Sequence, residues 1–197
     1  PMEAVASKQE VLALYEQWVV QENAEGLVVH SEFPRIFKIK PKQSIDAVVV
    51  GYTQGDGEQQ GKIRDLLLAL IADDNAYQVI AKTGTGFTEQ QKEQFYVNLQ
   101  QKHIESDYLE TDSRNIAYRM VSPSLVVEVE FGDILAETRK GQIFNPVLCL
   151  NEGRYQFQSL TSGIHLLHPV FERIREDKTA DLTGCPVAQI TDLVYMT

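Results

Sequence analysis

The sequence predicts a mainly β protein with a few helices, in the α+β class. Short apolar runs rich in Val, Ile and Leu alternate with turns that contain Gly, Asn or Asp, as in antiparallel sheets. Helical periodicity is confined to segments near the start, the middle and the end of the chain. The hydrophobic fraction of 43% is large enough to build a core, so a disordered chain is not expected.

The chain begins with a segment that predicts a helix. Apolar side chains recur at helical spacing through residues 7–22. Ser7 followed by Glu10 has the spacing of a capping box, in which each side chain bonds a free backbone N–H of the first turn. We therefore expect the helix to begin at Ser7.

Two strand candidates follow the helix. Residues 26–30, GLVVH, are typical of a buried strand, and residues 35–40, RIFKIK, alternate strictly between polar and apolar. Successive side chains of a strand point to opposite faces, so Lys38 and Lys40 are expected to point the same way. One helix and two strands are too few to bury a core alone. We therefore interpret residues 1–43 as the end of a larger domain.

Residues 44–197 predict a complete barrel-sized domain. Its strand candidates are residues 45–55, 64–73, 76–84 and 125–134, and residues 145–158 form either another strand or a hairpin around Asn151-Glu152-Gly153. Its helix candidates are residues 88–102, with Thr88 as the N-cap, and residues 186–195. About five short strands with one helix inserted midway are the plan of a small Greek-key barrel of the OB type.

Composition sets limits on location and partners. The net charge of −10 argues against nonspecific binding of polyanions by the whole surface, although residues 35–42 hold four basic side chains and no carboxylate. No apolar run reaches the roughly 20 residues that cross a bilayer, and the N-terminus lacks a signal-peptide pattern. Cys149 and Cys185 form no metal-spaced motif. We expect a reduced, cytoplasmic protein without membrane contact.

Three segments, in this order, resemble the motifs of ATP-dependent DNA ligases. EGLVVH (25–30) is similar to nucleotidyltransferase motif IV, FKIK (37–40) to motif V, and RIREDK (173–178) to ligase motif VI. KTGTGFTEQQ (82–91) and VAQITDLV (187–194) also resemble stretches of the ligase OB domain. The resemblance implies that residues 1–43 end an adenylation domain and that residues 44–197 are an OB domain.

The resemblance also implies an activity. Such ligases move AMP from ATP to a lysine, then to a DNA 5′-phosphate, and then seal the nick. Each step is an in-line displacement at phosphorus, which is catalysed by positioning and charge neutralisation. The implied ligands are therefore ATP, Mg²⁺ or Mn²⁺, and nicked duplex DNA, and the implied assembly is a monomer.

Two groups of site residues follow from the same resemblance. Glu25 would help to hold the nucleotide and its divalent metal, while Lys38 and Lys40 would contact the α-phosphate and stabilise its developing charge. In motif VI, Arg173, Arg175 and Lys178 would orient the β- and γ-phosphates as a leaving group. Asp177 would orient a neighbouring basic side chain or the leaving group.

The chain departs from the ligase pattern in one important respect. Lys-x-Asp-Gly, the motif of the nucleophilic lysine, occurs nowhere in the sequence. We therefore expect the chain to be the C-terminal part of a longer ligase and to be unable to adenylate itself. Two alternatives stay open at this point: a non-catalytic OB module that binds nucleic acid, and a fragment of an RNA ligase or an mRNA-capping nucleotidyltransferase.

Overall fold

The computed structural model describes residues 1–31, 35–138 and 141–195. The chain divides into two compact units, Pro1–Lys42 and Gln43–Thr197. The boundary predicted from the sequence lies one residue further along the chain.

The first unit contains the predicted helix and strands. Helix α1 (Lys8–Leu14) continues directly into a π-helical segment at Tyr15–Gln21. The N–H of Glu10 donates to Ser7 Oγ over 3.2 Å, so Ser7 caps the helix as expected. Strands β1 (Leu27–His30) and β2 (Ile36–Ile39) form an antiparallel pair.

The second unit carries the remaining strands. They are β3 (Gln43–Gln54), β4 (Ile63–Asp73), β5 (Ala76–Thr83), β6 (Arg119–Met120), β7 (Val126–Phe131), β8 (Asp133–Leu135), β9 (Glu137–Thr138), β10 (Gly141–Gln142), β11 (Phe144–Asn151), β12 (Arg154–Ser162), β13 (His165–Leu167) and β14 (Val170–Ile174). The helices are α2 (Glu89–Gln100) and α3 (Ala188–Tyr195), and a 3₁₀ turn spans Gly57–Gln59.

Most of these strands form one antiparallel sheet. Its order is β12-β11-β5-β4-β3-β7-β14, with the short β6 also paired to β3. Irregular register, typical of β-bulges, occurs in the β3–β4, β4–β5, β11–β12 and β7–β14 pairs, and bulges increase the bend and twist of a sheet. Helix α2 is inserted between β5 and β6. The predicted α+β class, with a helix inserted in an OB-type β domain, is confirmed, but the described strands form an open sheet that ends at β12 and β14 and not the closed barrel that was expected.

The core lies under the central strands. Residues 47–53 of β3 are all buried, so both faces of this strand are covered. Helix α2 packs on the sheet through Phe95, which makes edge-to-face contacts with Phe87 and with Phe171 of β14. Phe87 and Phe171 stack at 4.3 Å between ring centroids. This aromatic cluster fixes β14 and the segment that follows it.

The C-terminal segment completes the sheet beside β4. The N–H of Ile71 donates to the Cys185 carbonyl over 2.8 Å, and the N–H of Val187 donates to the Ile71 carbonyl over 3.0 Å. This pairing brings helix α3 to the first half of β3. Among the described residues, no helix has the length and apolar character needed to span a membrane.

Candidate functional site

Glu25 and Lys40 form an ion pair in the first unit. Glu25 Oε1 lies 2.6 Å from Lys40 Nζ, and the side chains are 86% and 40% exposed. Gly26 permits this approach, because a Cβ at that position would lie 2.5 Å from the carbonyl oxygen of Ile39. Exposed ion pairs contribute little to stability, so a phosphate or a metal ion can displace one of the partners at small cost.

Lys38 lies on the same hairpin. It pairs with Val28 across the β1–β2 ladder, and its side chain is exposed. Ile39, which ends β2, is half-buried, and Lys40 follows directly after the strand. The described part of this unit therefore places the two predicted lysines two residues apart at one end of an antiparallel strand pair, and Lys40 is the one that contacts Glu25.

The motif VI residues lie in the second unit beside a row of carboxylates. Asp46 of β3 is the register partner of Glu128 of β7, which in turn is the partner of Arg173 of β14. Arg173 Nε donates to Glu128 Oε2 over 2.7 Å, and Ser44 Oγ donates to Glu128 Oε1 over 2.9 Å. Partners across adjacent strands point to one face, so the acids and Arg173 share that face.

Arg175 lies at the centre of this network. Its Nε and NH2 groups donate to the two carboxylate oxygens of Asp177, over 2.9 Å and 2.7 Å. Its NH1 group donates to Asp46 Oδ1 over 2.6 Å. The contact with Asp177 is therefore bidentate, which is a strong geometry for a pair of guanidinium and carboxylate groups, whereas the contact with Asp46 is a single hydrogen bond.

Lys178 lies near the carboxylate of Asp46, on the oxygen that Arg175 does not bond. Its Nζ lies 3.7 Å from Asp46 Oδ2. The exposed fractions differ along the motif: the Arg175 side chain is 14% exposed, whereas Arg173 is 61% exposed. The motif therefore combines one shielded guanidinium with a guanidinium that faces solvent.

The ion pairs shift the ionisation of the acids. A hydrogen bond from Arg175 holds the pKa of Asp177 well below its usual range. The hydrogen bond from Arg173 likewise lowers the pKa of Glu128. Both carboxylates are therefore ionised at neutral pH, and the network keeps its alternating charges.

Comparison with known proteins identifies the family. The family described as ATP dependent DNA ligase C terminal region matches residues 59–178, more than half of the chain, and the match ends at the last residue of RIREDK. The chain belongs to this family. The DNA ligase of Aeropyrum pernix is 26% identical over 180 residues, which cover 82% of this chain and 28% of that protein.

Other relatives agree with this assignment. DNA ligase 1 of Drosophila melanogaster is 31% identical over 142 residues, which cover 70% of this chain and 17% of that protein. The chain thus spans less than a third of the length of these curated relatives. The ligase domain of M. tuberculosis LigD covers 74% of this chain at 21% identity with a TM-score of 0.47, and the family assignment does not depend on it.

The Gly-rich turn that resembles the ligase OB domain has a packing role here. A Cβ at Gly86 would lie 2.1 Å from the carbonyl oxygen of Phe171. The hydroxyls of Thr83 and Thr85 both donate to the carbonyl oxygen of Pro169, over 2.9 Å and 3.1 Å. The turn therefore connects the end of β5, through hydrogen bonds, to the segment that precedes β14.

The residues around Glu25 suit a magnesium ion only in part. Mg²⁺ usually takes one or two carboxylates and fills its other positions with water and substrate phosphates. Glu25 offers one such carboxylate, and among the described residues no cluster of three or more His, Cys, Asp or Glu side chains could hold a metal. Glu25 could therefore supply one ligand to a metal ion whose other positions are filled by water and by the phosphates of a bound nucleotide.

Two residues of the motif VI network were missed by the sequence analysis. Asp46 and Glu128 belong to none of the ligase motifs, yet they hold Arg173 and Arg175 on the sheet. A weak signal was present for Glu128, since it alternates with buried valines in 126–131 and must therefore lie on the less buried face. For Asp46 the local sequence shows only a carboxylate ahead of an apolar run.

Proposed function

We propose that this chain is the C-terminal part of an ATP-dependent DNA ligase that seals nicks in duplex DNA through lysyl-AMP and DNA-adenylate intermediates. In this proposal residues 1–43 end the adenylation domain and residues 44–197 form the OB domain. The observation that supports it most is the family match, which covers most of the second unit and includes all of RIREDK. We call the longer protein the complete ligase.

The first unit supplies residues for the α-phosphate. Lys38 and Lys40 are two residues apart at the end of a hairpin, where their charge can neutralise the charge that develops on the phosphorus oxygens. Glu25 would hold Mg²⁺ or Mn²⁺, which supplies a Lewis acid for the phosphate when it is bound. The Glu25–Lys40 ion pair keeps the carboxylate and the ammonium oriented until the nucleotide arrives.

The second unit supplies residues for the β- and γ-phosphates. Arg173 is the most exposed cation of motif VI with a described contact, and its Nε bond to Glu128 sets the plane of the guanidinium. Arg175 and Lys178 flank Asp46 and add positive charge on the same side. Asp177 orients Arg175. Guanidinium groups pair well with phosphate oxygens, so this set suits the leaving pyrophosphate.

The lysine that accepts AMP is proposed to lie outside this chain, because Lys-x-Asp-Gly is absent from the sequence. The complete ligase is proposed to act as a monomer in the cytoplasm. The free thiols of Cys149 and Cys185 support a reducing compartment.

Joining assays test the proposal. The complete ligase, given ATP and Mg²⁺, should seal a nick between DNA strands faster than the same nick between RNA strands, and it should bind a nicked duplex more tightly than a single strand. Equal affinity for single strands without any sealing would favour a non-catalytic OB module. Sealing of RNA nicks alone would identify an RNA ligase.

A variant pair connects the assay to the site. Arg173→Ala removes the exposed guanidinium, whereas Arg119→Ala removes an exposed arginine on β6 outside the ligase motifs. We expect only the first to slow AMP transfer from ATP. Equal rates for the two variants would contradict the role given to motif VI.

A further inference from the structure

We propose that Asp46 is a positioning residue for motif VI, and that its carboxylate sets the direction in which Arg175 and Lys178 meet the nucleotide. The inference rests on the proposed function and adds a residue that lies outside the ligase motifs. Asp46 precedes Arg175 by 129 residues, so it is joined to the motif by the fold alone.

The first step is that one carboxylate serves two cations. Oδ1 of Asp46 accepts the NH1 hydrogen bond of Arg175 at 2.6 Å, and Oδ2 lies 3.7 Å from Nζ of Lys178. A single planar group with one oxygen toward each cation fixes the distance between the two positive charges. Without the negative charge between them, the two cations would repel one another.

The second step is that the main chain at Asp46 is held in place on both edges of β3. On one edge, β3 pairs with β7 at this position, where Asp46 faces Glu128. On the other edge, the side-chain amide of Gln189 in α3 accepts from the Asp46 N–H and donates to the Asp46 carbonyl, each over 3.0 Å. The side chain of Asp46 therefore projects from a backbone that is bonded on both sides.

The third step is that the two aspartates bonded to Arg175 have different roles. Asp177 lies two residues beyond Arg175 and is 63% exposed, so it moves with the motif. Asp46 is 13% exposed and belongs to the sheet, as does Glu128, whose Oε2 lies 3.8 Å from Arg175 NH1. The Asp177 contact shapes the guanidinium within the motif, whereas the Asp46 contact ties the guanidinium to the sheet.

A looser motif VI would slow AMP transfer to the acceptor lysine more than it would weaken ATP binding. Misplacement of a catalytic group by about 1 Å can reduce the rate about 100-fold. Asn at position 46 keeps the shape of the side chain but removes its charge, so Arg175 and Lys178 lose their common partner.

The experiment compares Asp46→Asn with Glu176→Gln in the complete ligase. Glu176 is an exposed motif VI carboxylate for which the described part of the chain gives no partner. Two steps are measured at the same temperature: AMP transfer from saturating ATP to the protein, and sealing of a nick that is already adenylated. We expect Asp46→Asn to slow the first step about ten-fold or more, to change the second by less than about two-fold, and Glu176→Gln to change neither.

Three outcomes would overturn the inference or the proposal beneath it. An AMP-transfer rate for Asp46→Asn within two-fold of the wild type would show that Asp46 does not position the motif. An equal fall in both steps would indicate a purely structural role. If the wild-type ligase takes up no AMP at all, the proposed function fails.

A measurement on this chain alone then decides whether Asp46 holds Arg175. Nuclear magnetic resonance reports the order parameter of the Arg175 Nε–Hε group. The order parameter should fall in Asp46→Asn and stay constant in Glu176→Gln. An unchanged value in Asp46→Asn would overturn the inference independently of any activity.

Discussion

Replacing Gly86 by alanine tests whether the turn between β5 and α2 holds β14, the strand that leads to motif VI. Gly86 has φ of +93°, a conformation that side-chain-bearing residues rarely adopt. The new Cβ would lie 2.1 Å from the Phe171 carbonyl oxygen and 2.8 Å from Cγ1 of Val170. Both neighbours belong to β14, so the substitution must displace either the turn or the strand.

Two terms give the size of the effect. An alanine held at positive φ costs about 1–2 kcal/mol, and forcing an extra methyl into packed structure costs about 1–3 kcal/mol. Together Gly86→Ala should lower the free energy of unfolding by about 2–5 kcal/mol, out of the roughly 5–15 kcal/mol of a typical domain.

A matched glycine isolates the packing term. Gly61 has φ of +84°, but no atom lies within 4 Å of a Cβ built there. Gly61→Ala should therefore cost only the conformational part, about 1–2 kcal/mol. Urea denaturation followed by circular dichroism measures both losses, provided that the m-values agree. Equal losses for the two variants would refute the idea that Gly86 is required by its contact with β14.

The remaining predictions concern charge and the sheet edge. Lys38→Ala should slow AMP transfer in the complete ligase roughly 100-fold. Lys8→Ala, on the exposed helix α1, should leave the rate unchanged. Equal rates for the two variants would show that Lys38 does not take part in AMP transfer. The free energy of unfolding should fall as the pH drops below 4.5, the ordinary pKa of a glutamate side chain, because the hydrogen bond from Arg173 lowers the pKa of Glu128 in the folded state and the unfolded chain binds that proton at higher pH. Glu128→Gln should make the fall shallower, and an identical pH dependence would contradict this. Gln189→Ala removes the two hydrogen bonds to the main chain of β3 and should cost about 1–3 kcal/mol in urea denaturation; a loss below about 0.5 kcal/mol would show that the bonds are not needed.

Features set by neighbouring residues were predictable from the sequence. Thr88 caps α2 and forms the full capping box with Gln91, because both hydrogen bonds connect residues three apart. The hairpin around residues 151–153 follows from the Asn-Glu-Gly turn between two apolar runs, and β11 and β12 pair across it. The π-helical segment Tyr15–Gln21 was not predicted, since its apolar spacing also fits an ordinary α-helix.

Features set by distant residues were not predictable. The basic residues of motif VI could be assigned through their resemblance to the ligases, but their acidic partners could not. The side chain of Asp46 meets Arg175 because β3, β7 and β14 are adjacent in the sheet, and no local pattern contains that strand order. The same holds for Gly86, since its need for glycine comes from Phe171 of another strand.

Locating the lysine that becomes adenylated tests the central claim most directly. The complete ligase and this chain alone are incubated with ATP labelled at the α-phosphate and with Mg²⁺, and the labelled peptide is identified by mass spectrometry. The account predicts label on one lysine outside this chain in the complete ligase and no label on this chain alone. A stable lysyl-AMP on a residue of this chain, or a complete ligase that takes no label, would contradict the account.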